Sequence, residues 1–132
     1  MDTIHLTQIT DLHLGTDASA TLGGVPTLAS FEAVLQAVAD QGRGTDTLLL
    51  TGDLASHCQP EAYRLLNSTL NAHQKQAIWL PGNHDDAATM QRCRGAEAQP
   101  LRLGKWHIIT LDSQVLGAEQ GAIDAESLRR LE

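Results

Sequence analysis

Residues 47–53 read Thr-Leu-Leu-Leu-Thr-Gly-Asp. An apolar run this short, bounded by threonines and closed by a Gly-Asp turn signal, has the length of a strand and not of a helix. Continuous apolar runs suit strands covered on both faces, which occur inside parallel sheets. The flanking sequence agrees. Ile4-His5-Leu6-Thr7-Gln8-Ile9 alternates apolar and polar residues, and Ala77-Ile78-Trp79-Leu80 is a third strand ended by Pro81-Gly82. Between the first two runs, Leu28, Phe31, Val34, Leu35 and Val38 fall at helical spacing, with Thr27 or Ser30 as N-cap and Gly42 as stop. Between the second and third, Pro60 and Glu61 open a helix whose Tyr63, Leu66 and Leu70 share a stripe. A β-α-β-α-β order of this kind predicts an α/β fold with parallel strands and right-handed crossovers.

The rest of the chain is read around that unit. Gly15 to Pro26 is expected to be a loop, and Asp85 to Cys93 a short helix. Leu101-Arg102-Leu103 and Trp106 to Leu111 form a hairpin turning at Gly104-Lys105. A loop with Asp112 and Ser113 then leads to Asp124, the N-cap of a helix over Ala125 to Glu132.

At 132 residues and 42% hydrophobic, the chain has the size and composition of one folded domain. Aromatics are only 3%, so the core must be built of Leu, Ile, Val and Ala. The net charge of −7 argues against a nucleic-acid surface, which is normally basic. It does not exclude an anionic substrate, because divalent cations reverse the local sign. Cys58 and Cys93 belong to no CxxC pair, and free thiols fit a reducing compartment. No basic leader or long apolar stretch opens the sequence, so the expectation is a cytoplasmic protein without a membrane span.

Each strand of the parallel unit is followed by a polar motif: Asp11-Leu12-His13, Gly52-Asp53 and Gly82-Asn83-His84-Asp85. Motifs past the carboxyl ends of parallel strands project to one edge of the sheet, where open α/β folds bind ligands. Carboxylates combined with imidazole suit Fe, Mn or Zn better than Ca or Mg alone. Asp11 and His13, in a turn after the strand, can reach one ion. A carboxylate such as Asp53 can bridge two ions ~3.5–4 Å apart, and the amide oxygen of Asn83 adds a neutral ligand. His84 is then placed beside substrate, where it can protonate a leaving oxygen, and Asp85 can orient its ring. Taken singly, Asp11, Gly52-Asp53 and Asn83 are ordinary turn residues; their repetition at one topological position is what points to a metal site.

The other histidines carry less. His57 stands close enough to the cleft to contact substrate, or else in a solvated loop. His5 reads as surface, His73 as a residue of the last turn of its helix, and His107 as a structural residue of its strand.

The three motifs, in this order, resemble the pattern of the calcineurin-like metallophosphoesterases: D-x-H, then G-D, then G-N-H-D/E. Two further stretches resemble a narrower branch, the bacterial class III cyclic-nucleotide phosphodiesterases. They are Leu22-Gly23-Gly24-Val25-Pro26-Thr27 with the helix of Phe31 and Val34-Leu35, and Leu111-Asp112-Ser113-Gln114-Val115 with Gly121, Leu128 and Leu131. The resemblance implies a metallo-dependent phosphatase fold, a two-sheet β-sandwich flanked by helices, with two metal ions, Fe and Mn foremost and Zn as a further choice. It assigns Asp11 and His13 to the first ion, Asp53 to both, and Asn83 to the second. Asn83 and His84 would contact the phosphate, His84 and Asp85 would serve catalysis, and a cyclic 3′,5′-phosphodiester such as cAMP would open to the 5′-monophosphate.

The family pattern continues with a further strand histidine and a G-H-x-H motif, whereas after His84 this sequence has only His107, outside those positions. Residues 1–132 therefore read as the N-terminal portion of the domain, truncated at the C-terminus, with a mostly parallel βαβαβ sheet. Such a portion leaves apolar surface open, so a homo-oligomer or a C-terminal half is the expected partner. Two alternatives to cyclic-nucleotide hydrolysis stand: a broader phosphodiesterase or phosphomonoesterase, and a catalytically incomplete metal-binding fragment.

Overall fold

The computed structural model describes residues 4–42, 47–94 and 101–131, with the side chain of Leu101 excepted. In chain order the elements are β1 (Thr7–Ile9), β2 (Thr21–Leu22), β3 (Val25–Pro26), α1 (Thr27–Asp40), β4 (Thr47–Thr51), α2 (Pro60–Ala72) and β5 (Gln76–Leu80). Then come α3 (Ala87–Arg94), β6 (Leu101–Leu103), β7 (Trp106–Ile108) and α4 (Ala125–Arg129). Strands β1, β4 and β5 form a parallel sheet in the order β1-β4-β5, with Ile9 beside Leu50 and Leu50 beside Trp79. The expected α/β architecture is present, built on the strand that runs into Gly52-Asp53.

One face of that sheet is the core. Leu48 and Leu50 are fully buried and cluster with Phe31 and Leu35 of α1, Tyr63, Leu66 and Leu70 of α2, and Trp79. Leu49 points the other way and is only half-buried, so β4 is not covered equally on both faces as its leucine run suggests. The physical reason is that both crossover helices pack against the Leu48–Leu50 face. The second sheet of a sandwich is not formed among the described residues: beyond the parallel sheet there are two two-stranded hairpins. Apolar side chains stay open accordingly, with Trp106 at 69% and Leu116 at 82% exposure, and Ile4 and Leu6 also exposed.

Several element boundaries differ from expectation. Residues expected to be loop form the β2–β3 hairpin, turning at Gly23 and Gly24 with φ of 56° and 82°. Two successive left-handed residues make the type I′ geometry that matches strand twist, and a Gly-Gly pair is a sequence signal for it. Helix α1 starts at Thr27 with no side-chain cap, because the cap position falls on Pro26, whose ring offers no acceptor, and the Thr27 hydroxyl donates to Ala20 O. Strand β1 begins at Thr7 and not Ile4, and β7 stops at Ile108. His107 is exposed on β7 and is no core residue. The Asp124 cap is as expected, its Oδ1 accepting from Ser127 N at 2.7 Å, although α4 ends at Arg129. No helix among the described residues is long and apolar enough to cross a membrane.

Helix α3 is capped by Asp86, whose Oδ2 accepts the Thr89 backbone N–H at 2.9 Å. The Thr89 hydroxyl and backbone N–H hold the Asp86 carboxyl below the usual carboxylate range. A depressed folded-state value means the capping stability is present above the unfolded pKa and is lost as pH falls through the folded one. Asp86→Ala is expected to cost about 0.5–1 kcal/mol, the lower part of the range for a cap because the carboxylate is solvated. Urea titrations at neutral pH and at pH below 3 should show the difference between the two proteins shrinking in acid.

Candidate metal centre

Pairing between the first two parallel strands does not end with the strands. Asp11 N donates to Gly52 O (3.0 Å), His13 N to Asp53 O (2.9 Å) and Leu14 N to Leu54 O (3.0 Å), and Ser56 N returns a bond to Leu14 O (3.0 Å). The two post-strand loops therefore travel side by side. Leu12 and Leu14 go into the core, which leaves the alternate residues Asp11 and His13 facing the site.

Asp11, His13 and Asp53 share an unusual backbone: all are left-handed, at φ of 58°, 45° and 51°. Among described non-glycine residues only Gln74 joins them. Such conformations cost about 1–3 kcal/mol each and persist where surrounding structure holds them, typically at functional sites. Here the inter-loop hydrogen bonds supply that hold. One ligand atom from each of the three side chains lies within 4.8 Å of the others. His13 Nε2 is 3.8 Å from both Asp11 Oδ1 and Asp53 Oδ2. Two carboxylates facing one imidazole make a donor set that fits a divalent or trivalent transition metal.

The third loop closes over this set. The His84 backbone N–H donates to Asp53 Oδ1 (3.1 Å), and the His84 and His13 rings meet edge to face with centroids 5.1 Å apart. This approach is possible because residue 82 is glycine: a side chain there would fall on the Asp53 carboxylate and backbone nitrogen. Asn83 and His84 are both exposed, and Asn83 lines a cavity shared with Gly52, Gly82 and Gln114. His57 is exposed in the loop before α2, and among the described residues nothing joins its ring to Asp11, His13 or Asp53.

The expected role of Asp85 as a partner of the His84 ring is corrected. Its side chain is buried. Oδ1 accepts from Ala55 N and the Tyr63 hydroxyl, and Oδ2 from Leu54 N and Gly82 N, at 2.9–3.0 Å. All of the carboxylate's capacity is spent on pinning the Asp53 loop to the Gly82 loop, so none remains for the imidazole.

Sequence reasoning missed three participants. Thr10 places its hydroxyl 2.6 Å from Asp11 Oδ2. Tyr63, read as a core residue, also receives the Asp86 N–H on its hydroxyl at 3.1 Å. Gln114 reaches the Gly82 loop from a distant segment. A tyrosine in an otherwise aliphatic stripe is a weak signal for such a bond, since buried hydroxyls need partners; Gln114 lies in the Leu111–Val115 stretch already singled out, but nothing local gives its contact, and nothing marks Thr10.

Burial, and then the Asp85 charge and hydrogen bond, push the Tyr63 phenol far above its ordinary value. The stabilisation from keeping it protonated is complete below the unfolded phenol pKa of about 10 and fades as pH rises beyond it. Tyr63→Phe is expected to lower stability by about 1–2 kcal/mol at neutral pH, because it strands the Asp86 N–H and leaves Asp85 Oδ1 with Ala55 N as its one remaining donor. The variant should also lose less stability than the wild type between pH 10 and 11, measured by urea midpoints.

A parallel sheet that gathers two carboxylates and an imidazole on strained loops at its carboxyl edge defines the class: an α/β protein equipped to bind metal. The chain belongs to the calcineurin-like phosphoesterase family, whose model matches residues 4–122. It is 36% identical over 129 residues to a 3′,5′-cyclic-nucleotide phosphodiesterase of Nostoc sp., covering 95% of this chain and 48% of that protein. It is 38% identical over 130 residues to the 3′,5′-cyclic adenosine monophosphate phosphodiesterase CpdA of Haemophilus influenzae, covering 95% and 47%. With CpdA of Escherichia coli it shares 34% identity over 134 residues, covering 98% and 49%. The chain thus spans about half the length of the curated relatives it matches.

Proposed function

We propose that residues 1–132 are the metal-binding N-terminal part of a calcineurin-like phosphodiesterase domain. The reaction is hydrolysis of a 3′,5′-cyclic nucleotide, cAMP in the first instance, to the 5′-monophosphate. The observation that carries this reading is the convergence of Asp11, His13 and Asp53, on left-handed backbone, beneath His84. The names of the similar proteins support the substrate class.

Asp11 and His13 would hold one ion, Asp53 would be shared, and Asn83 would contribute to a second; Fe and Mn suit the mixed donors best, and Zn is also compatible. Bound metal would supply Lewis-acid polarisation of the phosphoryl group and activation of water at neutral pH. Asn83 and His84, both exposed, would touch the phosphate, and the His84 ring, not engaged by Asp85, would deliver a proton to the leaving oxygen. His57, exposed in the loop that follows Asp53, would contact substrate at the rim. The net charge of −7 favours a small substrate over nucleic acid, and free Cys58 and Cys93 suit the cytoplasm.

A second reading has its own support. Coverage of half of each relative, with open apolar side chains at Ile4, Leu6 and Trp106, favours a unit completed by a second copy or by a C-terminal half. Until completed, the unit would bind metal without turnover.

Elemental analysis of the purified chain, paired with cAMP hydrolysis in added Mn²⁺, separates these. About two ions per chain with turnover supports the dinuclear phosphodiesterase. One ion without turnover supports the incomplete unit, and no bound metal sinks both. Comparing cAMP with p-nitrophenyl phosphate esters tests cyclic-nucleotide preference against a broader phosphodiesterase or phosphomonoesterase.

A further inference from the structure

The Leu111–Val115 stretch has no part in the metal set, yet it reaches the centre through one side chain. Gln114 Nε2 lies 2.6 Å from Gly82 O and 2.6 Å from Asp85 O. These carbonyls bracket Asn83 and His84. Carbonyls only accept, so both contacts require the amide N–H pair, and its two protons are fully used. We propose that Gln114 is a positioning residue of the metal centre, which holds the Asn83-His84 turn from outside while Asp85 holds it from within. This rests on the reading of Asn83 and His84 given under Proposed function.

The segment that presents Gln114 is itself held. Asp112 Oδ1 accepts the Gln114 backbone N–H at 2.8 Å, which fixes the backbone in a side-chain-capped turn. Ala122 N donates to Ser113 O at 2.9 Å, closing residues 113–122 into a loop. Gly121 lets that closure happen, since a side chain there would press on Ser113 O. Val115 O accepts from Ala118 N within the loop. The amide is therefore delivered by a pre-formed arm, and its two bonds lose little freedom on forming.

On the other side, Gly82 N bonds the Asp85 carboxylate and Asp85 N bonds Gly82 O at 3.2 Å, which makes 82–85 a tight turn. Gly82 and Gln114 both line a cavity of about 230 Å³ with Gly52, Asn83 and Glu119. With Gln114 in place, the turn is clamped on both sides of the residues that meet Asp53 and substrate.

The test uses Gln114→Met, which keeps the volume and removes the donors, Gln114→Glu, which sets acceptors against the carbonyls, and Gln114→Lys, which restores donors. Amide hydrogen exchange at His84 and Asp85 is followed by NMR on the same chain, with Leu48 to Leu50 as the internal reference. Exchange at both amides should speed at least tenfold in the Met and Glu variants and stay within about threefold of wild type in Lys, with the reference amides unmoved. Mn²⁺ affinity, by calorimetry, should fall about 10–100-fold in the Met variant, as when a group orienting a ligand is lost. Unchanged exchange at His84 and Asp85 in the Met and Glu variants overturns the clamp. Faster exchange with undiminished Mn²⁺ affinity overturns the positioning role. A wild-type chain that takes up no Mn²⁺ overturns the metal reading itself, while the exchange comparison still decides whether the clamp exists. If the Met variant unfolds, the Glu and Lys pair carries the same contrast.

Discussion

Asp53→Ala should abolish metal-dependent turnover in any complete form of the enzyme and empty the centre of metal. Asp53 sits where the three loops meet: Oδ2 faces His13 Nε2 at 3.8 Å, and Oδ1 accepts the His84 N–H at 3.1 Å. Removing it takes away the ligand assigned to both ions and also unties the loop that carries His84. The loss in metal affinity should exceed the roughly 10–100-fold that follows from losing a partner behind a ligand. Asp53 occupies a left-handed conformation that Ala adopts poorly, so Asp53→Asn, which tolerates it better, is the companion variant. Elemental analysis and cAMP hydrolysis in Mn²⁺ provide the readouts. Near-normal turnover in either variant would remove Asp53 from its shared position.

Asp85→Ala should have the largest effect on stability. Four donors converge on this buried carboxylate: Leu54 N, Ala55 N, Gly82 N and the Tyr63 hydroxyl. Each buried donor left unpaired costs about 1–3 kcal/mol, and allowing for relaxation and water entry the total should reach about 3–5 kcal/mol. Against a typical stability of roughly 5–15 kcal/mol, that brings the chain close to unfolding.

Asp85→Asn should be milder, about 1–3 kcal/mol. Its amide group can take the Oδ1 place if the Tyr63 hydroxyl rotates to accept, which strands Ala55 N and the Tyr63 hydroxyl proton, two donors where Ala strands four. Urea midpoints at constant m-value give the comparison. An Asn variant as damaged as the Ala variant would mean that the negative charge, and not the count of acceptors, holds the loops. An Ala variant of wild-type stability would mean that water replaces the carboxylate without loss.

The parallel unit was legible because its information is local. The Leu48–Leu50 run, the apolar stripe of α2 and the Pro at its start each dictate an element without reference to the rest, and helical crossovers between strands then make the strands parallel. The metal motifs were legible for a related reason: each follows its strand directly in sequence, so strand placement alone brings Asp11, Asp53 and Asn83 to one edge. The β2–β3 hairpin was legible in principle from Gly23-Gly24, but a stretch rich in glycine and threonine between longer elements reads first as loop.

What the sequence determined by itself was the α/β class, the parallel direction of the strands and the edge on which the site lies, because periodicity and chain direction are properties of neighbouring residues. Only the tertiary structure decided which carboxylates gather at the candidate metal site and which face the core. Asp85 stands beside His84 in sequence, yet unpaired backbone N–H groups 30 and 31 residues away claim its oxygens. Gln114 shows the same division from the other direction, since its partners lie 29 and 32 residues back along the chain. A buried polar group must be satisfied by whichever donor or acceptor the packing brings within reach, and sequence proximity does not decide which one that is.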